Sequence, residues 1–373
     1  MLQRPEPYLD PVSYLMKHNP ELPVHFFAVD ALRERLGAFL SGFPGLVTYA
    51  VKANPSDEVL THLVDGGLAG FDVASPEEIA LVQSIGPQSD LHYNNPVRTE
   101  REIQAGLRAG VRSWSVDDAS ELDKLIRQGI GADHEVSVRF KLPVAGAHYN
   151  FGEKFGATET EAAALLQRVA RAGFRTALTF HVGTQCGDPQ AYATYIAAAI
   201  NIAKAARVSI KRLNVGGGFP SVRTGQGLNL QKYFEVIHAA VSGFETRPDL
   251  ICEPGRGLVA DAFSYGVCVK SVRAGRVYLN DGIYGGLSEF PSMVIPDFRV
   301  LGPDHERNGK TSEMVVFGPT CDSLDQLPHS LHLPDDLCEG DWILFRSMGA
   351  YLTGVTTRFN GYGNRETVQV RRL

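Results

Sequence analysis

Thr48-Tyr49-Ala50-Val51-Lys52-Ala53-Asn54-Pro55 reads as a short buried strand that delivers one lysine at its end and stops at a proline. Leu46, Val47, Tyr49 and Val51 surround that single cation with apolar or β-branched bulk, and lysine is seldom fully buried without a chemical partner. Desolvation disfavours an ammonium, so the stretch predicts a lysine able to act as a neutral amine, the form that reacts with an aldehyde. A strand-end lysine that only snorkels to solvent would write the same residues. The surrounding chain has to separate the two.

Outward from Lys52, short apolar runs alternate with longer amphipathic segments. The runs cover 46–51, 70–74, 91–94, 113–116, 136–140, 177–182, 213–215 and 250–252, and helix-like stretches such as 57–65, 76–85, 100–109, 118–128, 159–172, 189–206 and 230–241 separate them. Ser75 followed by Pro76 and Glu78, and Asp188 followed by Pro189, are helix start signals. Strand-then-helix units imply a parallel sheet, and eight of them is the number that closes a (β/α)8 barrel, although an open doubly wound sheet fits the same alternation. Beyond about residue 260 the segments become short and partly alternating, with Gly, Pro, Asp and Asn in the turns, which predicts an antiparallel β domain. The expected organisation is α/β: a TIM-like barrel over residues 25–260, with residues 1–24 and 261–373 forming the β domain.

Composition narrows the function classes. The 373 residues are 44% hydrophobic and 21% charged, ordinary for a soluble globular protein. A net charge of -6 and the lack of a basic run with interleaved aromatics argue against a nucleic-acid partner. No apolar stretch is long enough for a membrane span, and residues 1–7 have no signal-peptide core. The five cysteines are scattered, without C-x-x-C spacing, so neither a disulfide framework nor a metal site is expected and a reducing cytoplasm is the default.

On the drawn strands, Lys52, Asp72, Asn94, Arg139, His181, Gly216 and Glu253 fall at the C-terminal ends, the face where such barrels carry their sites. Gly216-Gly217-Gly218 follows the seventh run and Glu253-Pro254-Gly255-Arg256-Gly257 the eighth. Barrels commonly bind phosphate with these last two loops, because bare backbone N–H groups approach an anion closely, and Arg256 adds a guanidinium fork. An amine, an acid, an imidazole and a phosphate cradle together match pyridoxal 5'-phosphate (PLP), whose protonated ring acts as an electron sink.

The chain resembles the PLP-dependent ornithine/diaminopimelate decarboxylases of the alanine-racemase-like fold. The likeness rests on residues 49–54, Phe71-Asp72-Val73-Ala74-Ser75, His181-Val182-Gly183-Thr184-Gln185-Cys186, 216–220, 253–256, Asn280-Asp281-Gly282-Ile283-Tyr284, Gly318-Pro319-Thr320-Cys321-Asp322-Ser323-Leu324-Asp325 and Met348-Gly349-Ala350-Tyr351. The resemblance implies that Lys52 is the Schiff-base lysine, Glu253 pairs with the pyridine nitrogen and His181 stacks on the ring. Thr184, Gly218, Gly255 and Arg256 would hold the phosphate, Asp72 and Arg139 would line the shell around Lys52, and Tyr351 would touch the cofactor. It further implies a homodimer with shared active sites, in which Cys321 is the acid that reprotonates Cα and Asp322 binds the distal ammonium of an amino-acid substrate.

The Cys-Asp-Ser wording points to the ornithine branch rather than the diaminopimelate branch, which usually has Cys-Glu-Ser there. One departure stands out. The Tyr-Asp pair that ornithine decarboxylases carry soon after the position of Tyr284 is absent from 284–297, leaving Glu289 or Asp297 as substitutes or a different diamino acid as substrate. Competing expectations are an amino-acid racemase, a decarboxylase-like regulator without cofactor, and a single-barrel PLP carrier.

Overall fold

The computed structural model describes residues 6–142, 154–225 and 227–373; the first five residues, part of the stretch read for a signal peptide, lie outside them. The chain divides into two compact units, one of residues 35–220 and 228–258, the other of residues 1–34, 221–227 and 259–373. Strand β1 (Val24–Ala28) belongs to the second unit, so the barrel unit begins at Arg35 rather than at residue 25.

The next eight strands, β2 (Leu46–Ala50), β3 (Gly70–Val73), β4 (Asp90–Tyr93), β5 (Ser113–Val116), β6 (Glu135–Arg139), β7 (Arg175–Thr179), β8 (Arg212–Asn214) and β9 (Asp249–Cys252), close into a barrel in chain order. All neighbours are parallel, and β2 meets β9 at Leu46↔Ile251 and Val47↔Cys252 to complete the ring. The strands are short and nearly all buried because helices cover the outside while side chains fill the inside. Helix entries are fixed locally. Ser75 accepts the Glu78 N–H ahead of Pro76–Ile85, and Thr99 with Glu102 and Thr158 with Glu161 form reciprocal capping boxes. Gln190–Ala206 starts with Asp188 Oδ1 accepting the Gln190 N–H.

The second unit is an eight-stranded sheet. Strands β10 (Phe263–Arg273), β11 (Arg276–Leu279), β12 (Phe298–Leu301), β13 (Thr311–Phe317), β14 (Leu331–Pro334), β15 (Trp342–Arg346) and β16 (Glu366–Val370) join β1, with the path β12-β15-β10-β11-β13-β14. It is mainly antiparallel, with parallel pairings at β1–β16 and β11–β13. Tyr265, Leu279, Phe290, Val316, Leu333 and Phe345 are among its core residues. Among the described residues no helix is long and apolar enough to cross a membrane.

The barrel seam depends on one glycine. A Cβ on Gly45 would collide with the Leu250 carbonyl and lie 2.7 Å from the Leu250 Cβ. Gly45→Ala should therefore destabilise the barrel by about 1–3 kcal/mol, read as a lower urea midpoint with an unchanged slope.

Candidate active site

Lys52 does not sit in the strand. β2 ends at Ala50, and Val51–Ala53 make one 3₁₀ turn that carries Lys52 to the C-terminal mouth of the barrel. Its Nζ lies 3.0 Å from Asp72 Oδ2; the lysine side chain is 49% exposed and the aspartate 3%. This corrects the expectation of an amine desolvated by apolar neighbours: the apolar residues face the core, while the amine is held by a buried carboxylate. The turn is packed from the far side by the loop after β9. The Ala50 N–H donates to the Pro254 carbonyl at 3.3 Å, and a Cβ on Gly255 would come within 2.9 Å of the Ala53 Cβ.

Glu253 is the buried acid of the mouth, 8% exposed. Its Oε1 accepts the side-chain amide of Asn94 at 2.5 Å and that of Asn214. Burial pushes its pKa up from 4.5 to about 8, and the nearby Asp72 adds to the rise; Lys52, the Asn214 hydrogen bond and Arg139 oppose it. Arg139, at the end of β6, is lowered by its own burial, while Glu253, Asp117 and Asp72 act to raise it. His181 stands two residues past β7, which ends at Thr179 rather than running to 182 as drawn from sequence. Its Nδ1 accepts the Gly183 N–H at 3.0 Å, which places any ring proton on Nε2. Burial, with Arg139 and Lys52 adding, lowers its pKa to about 3, so the imidazole is neutral.

The two loops after β7 and β8 are tied by one backbone hydrogen bond and pinned by two tyrosine hydroxyls from the helices behind them. Cys186 N–H donates to the Gly218 carbonyl, Tyr192 OH to the Gly217 carbonyl and Tyr233 OH to the Cys186 carbonyl. Gly216 and Gly218 adopt φ of +67° and +92°. Their Cβ atoms would strike the Phe180 carbonyl and, at 2.5 Å, the Gly183 carbonyl; one on Gly217 would lie 2.8 Å from the Glu253 carbonyl. No other residue fits this run. Thr184 lies in the same stitched loop, and Arg256, 5% exposed, opens the short helix Arg256–Val259.

Asn214 is the residue that sequence reading missed. It ends β8 inside an apolar run, donates to Glu253, and accepts the Gly216 N–H on Oδ1 at 2.8 Å. The signal was an asparagine inside an apolar run, two residues before the first glycine of Gly216–Gly218.

Tyr284, Cys321, Asp322, Glu289 and Tyr351 lie in the second unit. Tyr284 OH donates to Asp322 Oδ2 at 2.6 Å, and that bond lowers the Asp322 pKa. Cys321 is exposed, and Tyr351 holds a left-handed φ of +60°. Glu289 and Asp297 are not the spare acids expected. Buried Arg223 lies 3.5 Å from Glu289 and donates to the Val294 carbonyl. Asp297 accepts the Gly225 N–H and stands 3.8 Å from Arg346. Both carboxylates balance arginines within their own unit.

A closed parallel barrel with an amine, a buried acid and a glycine cradle at its C-terminal mouth defines a phosphate-bearing cofactor site. Residues 29–260 match the pyridoxal-binding domain of the pyridoxal-dependent decarboxylases. Ornithine decarboxylase of Panagrellus redivivus is 32% identical over 350 residues, 86% of this chain and 78% of that protein. Antizyme inhibitor 2 of Xenopus laevis is 31% identical over 361 residues, 89% and 77% of the two chains. The crystal structure of the Paramecium bursaria Chlorella virus arginine decarboxylase superposes with a TM-score of 0.86 at 26% identity, covering 96% of this chain and 98% of that one. The chain belongs to the pyridoxal-dependent decarboxylase family.

The mouth fits PLP on its own chemistry. A carboxyl group pushed up to about 8 by burial is a group whose ionised form calls for a cation, and a protonated ring nitrogen is one. The unsubstituted backbone of Gly216–Gly218 suits a phosphate, and the Lys52 amine is the kind of group an aldehyde takes.

Glu253 also sets a pH dependence. Its native pKa lies above 4.5, so between pH 4.5 and about 8 the unfolded chain releases a proton that the native site keeps, and stability falls as pH rises. Without cofactor, Glu253→Gln should gain stability relative to the unsubstituted protein across that window. Urea midpoints at several pH values check this, and a gap independent of pH would contradict the assignment.

Proposed function

We propose that the chain removes CO2 from a basic amino acid, with L-ornithine as substrate and putrescine as product. The observation that carries this reading is the Lys52–Asp72 pair beside buried Glu253; the Tyr284–Asp322 pair is assigned to the distal end of the substrate. The chemistry PLP supplies when bound is an aldehyde that takes an amine and a protonated ring that receives the electron pair CO2 leaves behind.

The chain's own residues do the rest. Lys52 would hold the cofactor through its amine, and Asp72 keeps the lysine Nζ in place at 3.0 Å. Glu253, steadied by Asn94 and Asn214, holds a proton on the ring nitrogen. His181 and Arg139 would complete the shell around the ring, where the neutral imidazole would add no charge. Thr184, Gly216, Gly217, Gly218, Gly255 and Arg256 hold the phosphate, and Tyr351 contacts the cofactor. Cys321 delivers the proton to Cα, and Asp322 binds the distal ammonium with the Tyr284 hydroxyl steadying its second oxygen.

The working form is a homodimer in which the Cys321–Asp322 segment of one protomer serves the mouth of its partner. Five free cysteines without a pairing pattern support a reducing, cytoplasmic setting. The engagement of Glu289 and Asp297 favours a second reading, a related diamino acid of different length, because the usual distal-amine acid has no counterpart in 284–297. The presence of Lys52, Glu253, Arg256 and Cys321 together argues for an enzyme rather than a cofactor-free regulator.

Lys52→Ala should abolish the visible absorbance of the PLP-loaded protein, and an unchanged spectrum would sink the role of Lys52. Release of CO2 from L-ornithine, L-lysine, L-arginine, L-2,4-diaminobutyrate and meso-diaminopimelate then ranks the substrates. Preference for ornithine supports Asp322 as the reading acid; preference for another substrate transfers the choice to 284–297.

A further inference from the structure

We infer that Asn360 is a positioning residue for Cys321, aiming the thiol proton of the acid; this rests on the reading of Cys321 proposed above. The backbone leading to Cys321 is fixed by Asp325, 1% exposed. Its Oδ2 accepts the Thr320 N–H at 3.1 Å and hydroxyl at 2.8 Å, and its Oδ1 accepts the Ile283 N–H at 3.0 Å. One residue further on, the thiol is exposed, and its contact is Asn360. A single atom, Asn360 Oδ1, accepts the Cys321 N–H at 3.0 Å and lies 3.1 Å from Sγ.

That double contact fixes the amide. A backbone N–H can only donate, so the atom facing it is the carbonyl oxygen and not the NH2 group. The same oxygen therefore faces Sγ as an acceptor, and the contact is made by the protonated thiol. A neutral carboxamide aligns the S–H without taking its proton, as a reusable acid requires. Asn360 holds φ 51° and ψ 19°, a left-handed conformation that asparagine tolerates better than most residues.

The segment is anchored to the substrate-binding pair. Thr357 N–H and hydroxyl both donate to the Tyr284 carbonyl at 2.9 Å, and the Phe359 ring lies 5.2 Å from the Tyr284 ring. Tyr284 in turn donates to Asp322. The acid and the distal-amine ligand are thus set by one loop, from Asp322 through Tyr284 and Thr357 to Asn360 and Cys321.

Asn360→Ala, Asn360→Asp and Cys321→Ala test this in the PLP-loaded full chain with two readouts. Alkylation of the Cys321 peptide by iodoacetamide, followed by mass spectrometry, needs no substrate. Loss of the acceptor should change its rate in Asn360→Ala, and an unchanged rate overturns the inference. With L-ornithine, Asn360→Ala should lower kcat by roughly tenfold or more with KM and cofactor absorbance unchanged, as expected for a misaligned proton donor. Asn360→Asp, which keeps an acceptor oxygen and tolerates the same backbone, should recover most of that loss. A kcat unchanged in Asn360→Ala but lowered in Cys321→Ala overturns the role of Asn360 alone. A kcat unchanged in Cys321→Ala overturns the assignment of Cys321 itself, separately from the alkylation result.

Discussion

Burying the Glu253 carboxylate is unfavourable by itself, and much of the barrel mouth is arranged around that fact. Two strand ends donate carboxamides to one of its oxygens, from Asn94 after β4 and Asn214 in β8. Those neutral donors satisfy the oxygen without supplying the charge that would fully offset its desolvation. Burial still dominates, and the neighbouring Asp72 carboxylate adds to it. Lys52 answers Asp72 at 3.0 Å. The mouth thus holds two acids with Lys52 and Arg139, and what remains unrelieved is the desolvation of Glu253, which a ligand bringing a positive ring nitrogen would offset. In that sense the electrostatics of the apoprotein anticipate the cofactor.

The loops that carry these groups have little freedom. The triple glycine is often read as a soft turn, yet each of its three positions faces backbone at a distance no Cβ could share. The absence of side chains serves first to let loops after β7, β8 and β9 lie against one another, and only then leaves backbone bare for phosphate. Asn214 joins the two purposes, since its amide nitrogen serves Glu253 while its oxygen accepts the Gly216 N–H. A substitution there would disturb acid and cradle together.

The parallel strands were legible because they are short, buried on both faces and separated by capped helices, a pattern with few alternative readings. Strands of the second unit show where that signal fails. β1 lies directly against a helix with no turn residues between them, β12 is four residues long, and β14 ends at Pro334. Their pairing is decided by tertiary partners rather than by local pattern. Site residues at strand ends were likewise readable, since topology alone brings them to one face. What sequence could not supply was partnership. Lys52 among apolar letters looked desolvated, whereas alternation sends those letters to the core and the amine to Asp72. Glu289 and Asp297 looked available because Arg223 and Arg346, which engage them, are remote in the chain.

The second unit repeats the use of a buried carboxylate as an organising point. Asp281 accepts the Tyr265 hydroxyl at 2.5 Å and the Gly286 N–H at 2.7 Å, and its burial raises its pKa despite those bonds. Asp325 ties together the segments around Ile283 and Thr320. Gly282, Gly285 and Gly318 are required because a Cβ on any of them would collide with one of these two carboxylates. The run Gly318 to Asp325 therefore separates into two kinds of residue. Gly318, Thr320 and Asp325 are consumed in building the turn, whereas Cys321 and Asp322 project from it, the first held by Asn360 and the second by the Tyr284 hydroxyl and the Leu324 N–H. The buried node fixes the backbone from which both groups start, and the outer contacts set the direction in which each side chain leaves it.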